Sequence, residues 1–237
     1  MAVGAKRHRT GRIGLVVLIA LVLLVVLAQV LLPAVAVRRV EDRVGRYGTV
    51  VGAYVSAFPA VELLWGKADT VTVEGGTLTV TPAQIGSLLW EARGTHDMTV
   101  TARTVNLRVP VLLAGGLTVR GVRMEKHGAS IHATATLTQG QLDRALPSGF
   151  HVQPVAAGEG EVQVRASGGL FGAQATIEAL VRPLEGKLIA EPKGFPLAGI
   201  VTVTLFSDPH LKVESIGVRV LGQTPLLYGL SLDAILH

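Results

Sequence analysis

Cysteine is absent from this chain of 237 residues. Without cysteine there is no disulfide scaffold, no thiolate zinc site and no catalytic cysteine. Aromatic residues are also scarce, at 4%, which leaves few side chains for stacking on nucleic-acid bases. Charged residues make up only 16% of the chain, whereas about 25% is typical of soluble domains. The composition therefore indicates that part of the chain is not ordinary soluble surface.

Acidic residues are missing before Glu41, and this explains most of the net charge of +5. Four of the 22 Lys and Arg residues lie before position 13, at Lys6, Arg7, Arg9 and Arg12. From Arg38 onward 18 cations are balanced by 17 acids, which leaves a net charge of +1. Nucleic-acid binders usually carry a basic face over the whole domain, so we expect no nucleic-acid partner.

A long apolar run follows the basic cluster. It has 20 residues, from Ile13 to Leu32, and only Gly14 and Gln29 interrupt it. At about 1.5 Å per residue, a helix of this length crosses the roughly 30 Å hydrocarbon core of a bilayer. The cations before it favour a cytoplasmic N-terminus, so the rest of the chain is expected outside the cytoplasm.

These features predict four regions in a single-pass protein of the cell membrane. They are a basic cytoplasmic segment (1–12), a transmembrane anchor (13–32), a stalk (33–49) and an exported domain (50–237). A cleaved signal peptide is the alternative, because Ala34-Val35-Ala36 has the small-residue pattern of a cleavage site. Signal-peptide apolar regions usually span about 7–15 residues, so the length of the run favours a retained anchor.

Beyond residue 66 apolar and polar side chains alternate with a period of two, which is typical of strands. The pattern predicts an α+β fold in which a curved, mainly antiparallel sheet carries short helices. The apolar phase changes near Arg103-Thr104 and at Gly121, which indicates a bulge that curves the sheet. The predicted strands are Asp69 to Val73, Thr77 to Val80, Met98 to Val111, Leu117 to Lys126, Ser130 to Leu137, Glu161 to Ala166, Phe171 to Val181, Lys187 to Ala190, Ile200 to Leu205 and Leu211 to Val220.

Three short helices are predicted among the strands. The first runs from Pro59 to Trp65 and ends at Gly66. The other two begin at capping boxes, Thr81 to Gln84 and Thr138 to Gln141. Before the first of them, Val51 to Ala57 alternates like a strand, although a continued helix also fits this stretch.

Catalytic and cofactor motifs are missing from the sequence. There is no G-x-S-x-G nucleophile elbow, no H-E-x-x-H and no Walker sequence, and the seven histidines are scattered. We therefore predict a protein that is not an enzyme and takes no metal and no cofactor. An acid/base pair assembled only by the fold, for example from Asp143 and Glu161, stays open as an alternative.

Two blocks carry a family resemblance. The stretch from Phe58 to Val73 (FPAVELLWGKADTVTV) resembles the opening motif of the LmeA-like phospholipid-binding proteins of the actinobacterial envelope, F-P-x-x-x-x-L-x-G-x-x-x-x-V-x-V. A second block, Val105 to Val122 (VNLRVPVLLAGGLTVRGV), resembles their strand, leucine-rich turn and returning strand. Membership would imply an extracytoplasmic domain that binds phospholipid and has a role in maintaining mannosylated glycolipids or the envelope. It would also imply a fold like tubular lipid-binding (TULIP-like) domains, with a curved sheet wrapped on a helix. The family's polar chain end is not matched, since Gln223 to His237 stays apolar.

A curved sheet without a catalytic cluster suits an apolar cavity better than an active site. A phospholipid-binding or lipid-transfer function therefore leads, and two short helices supply the candidate lipid contacts. The alternative is that the same side chains form an ordinary core. The candidate ligand-binding residues are Leu63, Leu64, Trp65, Leu88, Leu89 and Trp90.

The hairpin from Val105 to Lys126 is the candidate membrane-docking element. Five cations lie between Thr99 and Lys126, Lys126 included, against Glu125 alone, and the turn is rich in leucine. Anionic headgroups attract such cations and the interface accepts leucine, so the hairpin tip is predicted to touch the membrane. The alternative is a solvated basic face above a leucine core. The predicted docking residues are Arg108, Val111, Leu112, Leu113, Arg120 and Arg123.

A second class of function stays open from sequence alone. The exported domain could be a non-catalytic scaffold that binds another envelope protein through an exposed sheet edge. The expected partners are accordingly phospholipid, the membrane and an envelope protein.

If the apolar run is a retained anchor, the full-length protein stays in the membrane pellet during alkaline carbonate extraction. Mass spectrometry of the purified protein then shows residues 1–36 still attached. A mature N-terminus at Val37 would instead identify the run as a cleaved signal peptide.

Overall fold

A computed structural model describes residues 28–29, 31–109, 116–158, 160–170, 173–193 and 202–237. The predicted cytoplasmic segment, most of the predicted anchor and the hairpin residues Val111, Leu112 and Leu113 lie outside these ranges. Within them, no helix is both long enough and apolar enough to span a membrane.

Seven strands form the larger sheet. In spatial order they are β1 (Gly48–Ser56), β2 (Ala68–Val80), β3 (Thr95–Leu107), β4 (Leu117–His127), β5 (Ser130–Thr138), β12 (Leu226–Leu236) and β11 (Leu211–Gln223). Neighbours pair antiparallel except β2 and β3, which are parallel. The sheet does not close on itself, because β1 and β11 remain as its edges.

Five strands form a second, smaller sheet that is antiparallel throughout. In chain order they are β6 (Phe150–Ala157), β7 (Val162–Leu170), β8 (Ala173–Leu184), β9 (Lys187–Lys193) and β10 (Val203–Phe206). The smaller sheet lies against β11 of the larger one. The predicted α+β class with a mainly antiparallel sheet is confirmed.

Short helices connect the strands as the sequence predicts. They are a 3-10 helix (Ala60–Trp65), α2 (Pro82–Glu91) with a final 3-10 turn (Ala92–Gly94), and α3 (Gln139–Ala145). Both predicted capping boxes are present: Gln84 N donates to Thr81 Oγ1 at 3.3 Å, and Thr81 N donates to Gln84 Oε1 at 2.8 Å. Thr138 caps α3 in the same way. Because α2 returns the chain along the sheet, β3 can pair parallel with β2.

A further helix, α1, covers residues 28–29 and 31–45 and packs on the larger sheet. Its Ala36, Val37, Val40 and Val44 recur at helical spacing and contact the main core cluster. The segment interpreted as a stalk therefore lies against the domain over most of its length.

The predicted change of apolar phase is present, and it extends across three strands. In β2 the buried residues shift from odd positions at Val73 to even positions at Leu78. The register sets Gly76 of β2 opposite Arg103 of β3, and Arg103 opposite Gly121 of β4. The β3 and β4 strands pair without a register shift, and the irregularity falls between β4 and β5 at Gly121, which has φ 56°. The phase change divides the inner face into two core clusters.

The last strand accounts for the apolar chain end. β12 lies inside the sheet, between β5 and β11, and it buries Tyr228, Ala234 and Leu236. No residue of β12 is exposed, and a strand covered on both faces does not alternate between apolar and polar residues. The predicted strands include neither β6 nor β12, and the structure contains both.

Gly121→Val is expected to lower the free energy of unfolding by roughly 1–3 kcal/mol, because a β-branched residue is strained at positive φ. Crowding adds little, since a Cβ at Gly121 meets nothing closer than Thr136 Oγ1 at 3.8 Å. Gly52→Val is the matched control in β1, where a Cβ has open space and φ is not positive. Urea unfolding of the parent and both variants in detergent measures these free energies. An equal loss of stability in Gly121→Val and Gly52→Val would contradict the prediction.

Candidate functional site

The beginning of α1 meets the 3-10 helix. Gln29 Oε1 accepts a hydrogen bond from Ala60 N at 3.2 Å. Ala60 is fully buried and Leu63 packs against the main core cluster, so the 3-10 helix is held firmly on the domain. It ends at Gly66, which adopts the left-handed conformation and donates to Leu63 O at 3.2 Å. A rigid element therefore stands beside the point where the chain leaves the predicted anchor.

The outward face of this element is apolar. Phe58 is 82% exposed, Leu64 65%, Trp65 70% and Val61 38%. Monomeric soluble proteins rarely gather exposed apolar side chains in this way, and such patches commonly mark interaction sites. We call these four residues the Phe58–Trp65 patch.

The six predicted ligand-binding residues lie on the 3-10 helix and near the C-terminal end of α2, and they differ in burial. Leu89 is 3% exposed and belongs to the core, while Leu63 and Trp90 pack at its margin. Trp90 stacks on His210 with ring centroids 4.3 Å apart. Leu88 is half-buried, and Leu64 and Trp65 face outward as part of the patch.

Of the predicted docking residues, Arg108 and Arg120 lie toward the opposite end of the larger sheet, and Arg123 lies nearer its middle. All three arginines are exposed, and Arg123 Nε donates to Glu125 at 2.8 Å. From Thr95 to Leu107, β3 covers 13 residues, or about 40 Å at about 3.3 Å per residue. Leu107 and Leu117, the paired ends of β3 and β4, are therefore separated by about this length from the end of the sheet that carries the Phe58–Trp65 patch.

Lys126 does not belong to the exposed basic face expected for this hairpin. It is 2% exposed and stands in a buried row between Met98 of β3 and Ile131 of β5. After the phase change at Gly121, even positions of β4 face inward, which places Lys126 on the core side. Its Nζ donates to Thr95 O.

A polar cleft of about 260 Å³ lies between α3 and the smaller sheet. Gln139 organises it: its Nε2 donates to Asp143 and to Val152 O, both at 2.8 Å, and its Oε1 accepts from Tyr228 at 2.8 Å. Burial raises the pKa of Tyr228, which keeps its hydroxyl a donor. We call this the Gln139 cleft, and its lining residues are Gln139, Asp143, His151, Gln153, Arg165, Ser167 and Leu226.

The Gln139 cleft presents charges of both signs. Arg165 pairs with Glu178 at 3.1 Å, and His151 approaches Asp143 at 3.4 Å. Sequence reasoning missed this site, because its residues come from α3, β6, β7 and β12 and no motif links them.

A second cleft, of about 490 Å³, lies on the larger sheet and carries several acidic and histidine side chains. Asp233 accepts from Ser215 Oγ and from His132 Nδ1, each at 2.5 Å. These hydrogen bonds, that of Ser215 first, lower the pKa of Asp233. The aspartate stands between serine and histidine, so the imidazole does not contact the hydroxyl as a catalytic triad requires.

Other catalytic or metal-binding arrangements are sparse in the described ranges. Asp143 contacts Gln139 and His151 rather than Glu161. No group of three His, Asp or Glu side chains in the described part of the chain is placed to hold a metal ion.

One comparison with known proteins gives a match. A family model described as LmeA-like phospholipid-binding matches residues 27–224. No curated protein and no solved structure matches the chain significantly.

Lys126→Met is expected to change how stability depends on pH. Burial lowers the pKa of Lys126, and the charge of Asp97 offsets this in part. Between that lowered value and about 10.4, the unfolded chain binds a proton that the folded protein has released, so rising pH stabilises the fold.

Urea unfolding from pH 7 to pH 10 should therefore show the parent gaining stability relative to Lys126→Met. Lys212→Met, at an exposed lysine of β11, is the control for losing one positive charge. A difference between parent and Lys126→Met that stays constant with pH would contradict the burial of a titrating amine.

Proposed function

Because the chain belongs to the LmeA-like phospholipid-binding family, we propose that it is a membrane-anchored, extracytoplasmic phospholipid-binding or lipid-transfer protein. Its role on this proposal is maintenance of the cell envelope. The match over residues 27–224 carries the proposal, since it includes the smaller sheet and every strand of the larger sheet except β12. The binding property is thus linked to most of the fold rather than to one motif.

The inner face of the larger sheet supplies the proposed path for acyl chains. Many of its apolar side chains are only partly covered by α1, α2 and α3, and the sheet is open at β1 and β11. A curved sheet around a helix is the arrangement that the tubular lipid-binding resemblance implies. The partly covered apolar residues on this face are Val100, Leu107, Leu117, Val122, Met124, Leu230 and Leu232.

The Gln139 cleft is the proposed headgroup site. A phosphate needs cationic and hydrogen-bonding donors, and Arg165, His151 and Ser167 provide them. Asp143 and Gln153 can accept from an amine or from sugar hydroxyls. A cleft of about 260 Å³ takes a headgroup but not two acyl chains, which agrees with an apolar path elsewhere.

The proposed function is non-catalytic. The family is described by phospholipid binding, and the Ser215–Asp233–His132 contacts lack the order of a triad. The scaffold alternative would use a sheet edge such as β1, where Val51 and Tyr54 are 57% and 61% exposed. Lipid content of the purified protein separates the two functions.

Native mass spectrometry of the full-length protein, released from detergent, should show phospholipid retained by the folded chain. Arg165→Gln should weaken this retention by about tenfold, because a charge-assisted hydrogen bond to phosphate is lost. Arg103→Gln is the matched control, an exposed strand arginine outside the cleft. Lipid-free parent protein that still captures an envelope protein would favour the scaffold.

Equal retention by both arginine variants would leave phospholipid binding in place and move the headgroup site away from the Gln139 cleft. Phospholipid binding and the location of the headgroup site are therefore tested independently of each other.

A further inference from the structure

We propose that the Phe58–Trp65 patch inserts into the interface of the bilayer that holds residues 13–32. The patch then holds the domain upright, with the end that carries Phe58 and Trp65 facing the membrane. The inference rests on the membrane anchoring proposed above. It adds a docking surface that is separate from the lipid-binding face and from the hairpin.

The first argument is the construction of the patch. Ala60 and Leu63 pack into the protein and hold the 3-10 helix on the domain. Phe58 N donates a hydrogen bond to the Asp69 carboxylate at 2.7 Å. Phe58, Leu64 and Trp65 therefore point outward from an element that is held on both sides. Their exposure is a fixed feature of the fold and not the loose end of a chain.

The second argument is position. The hydrogen bond between Gln29 and Ala60 joins the patch to the C-terminal part of the apolar run. Leu31 and Val35, at the beginning of α1, are 53% and 49% exposed and add to the apolar surface near it. A run that ends at residue 32 brings this end of the domain to the membrane surface.

The third argument is chemistry. Tryptophan favours the boundary between headgroups and acyl chains, because its ring is apolar while its N–H can stay hydrated, and phenylalanine and leucine add apolar burial there. Lys67 and Arg93 are exposed at the same end and can contact headgroup phosphates, while the exposed Asp69 is engaged by Phe58 N and Glu91 pairs with Arg43. Aromatic, leucine and basic side chains together match a lipid surface better than they match a folded protein partner.

The orientation has a direct consequence for the hairpin. The end of α1 lies far from the bilayer, since Tyr47 O accepts a hydrogen bond from Thr79 N near the C-terminal end of β2. Arg120 pairs across from Thr104, nine residues beyond Thr95, or about 30 Å along β3. With the patch inserted, Arg108 and Arg120 lie at the end of the larger sheet that is away from this membrane.

The chain holds two tryptophans and no cysteine, so intrinsic quenching and single-site labelling both test the proposal. Full-length Trp90→Phe leaves Trp65 as the only tryptophan, and Trp65→Phe leaves Trp90 as the matched control. Each variant is placed in nanodiscs of phosphatidylcholine and phosphatidylglycerol, with and without brominated acyl chains. We expect Trp65 to lose about half of its emission or more in the brominated discs, and Trp90 to change little.

A second measurement reports orientation. Lys67→Cys and Arg120→Cys, each labelled with a donor dye, are compared for energy transfer to an acceptor lipid in the same discs. Strong transfer from position 67 and weak transfer from position 120 are expected, given their separation of about 30 Å. Equal transfer would overturn the upright orientation.

The other outcomes identify which proposal fails. Protein that does not enter the discs overturns the anchoring and the docking together. Protein that enters with Trp65 unquenched overturns the docking alone. Quenching of Trp65 by one equivalent of brominated lipid in detergent assigns the contact to a bound lipid and also overturns docking to the bilayer.

Discussion

The packing of α1 against the larger sheet is the contact on which the arrangement of the molecule depends. Val37, Val40 and Val44 fasten the helix along the inner face, and Val44 reaches both core clusters. Because the helix is fixed, the direction in which the chain enters the domain is also fixed. The Phe58–Trp65 patch and the inner face of the larger sheet then take defined positions relative to that entry.

Much of the fold could be predicted because local patterns agree with it. Period-two alternation gave most strands, and both capping boxes begin helices where the threonines indicate. β6 was missed because Pro154 interrupts its pattern, and proline is tolerated there only since β6 is an edge strand. The parallel pairing of β2 with β3 and the central place of β12 depend on contacts between distant segments, which local patterns do not contain.

The candidate site was less accessible to sequence reasoning. Leu63 and Leu64 are neighbours of the same residue type, yet one packs on the core and the other is 65% exposed. In a six-residue helix, composition alone does not reveal which side faces the protein. The Gln139 cleft is assembled from four separate elements, so its polar residues look like ordinary surface until the sheets are in place.

The position of β12 has a consequence for how the domain reaches its folded state. β12 bonds to β5 along residues 227–235 and to β11 along its whole length, so it completes the larger sheet from within. Until this stretch has emerged, β5 presents a free edge of nine residues and β11 has no partner in the larger sheet. The larger sheet therefore cannot be completed strand by strand as the chain is synthesised, and the unpaired edge of β5 is open to association with other chains until β12 has paired.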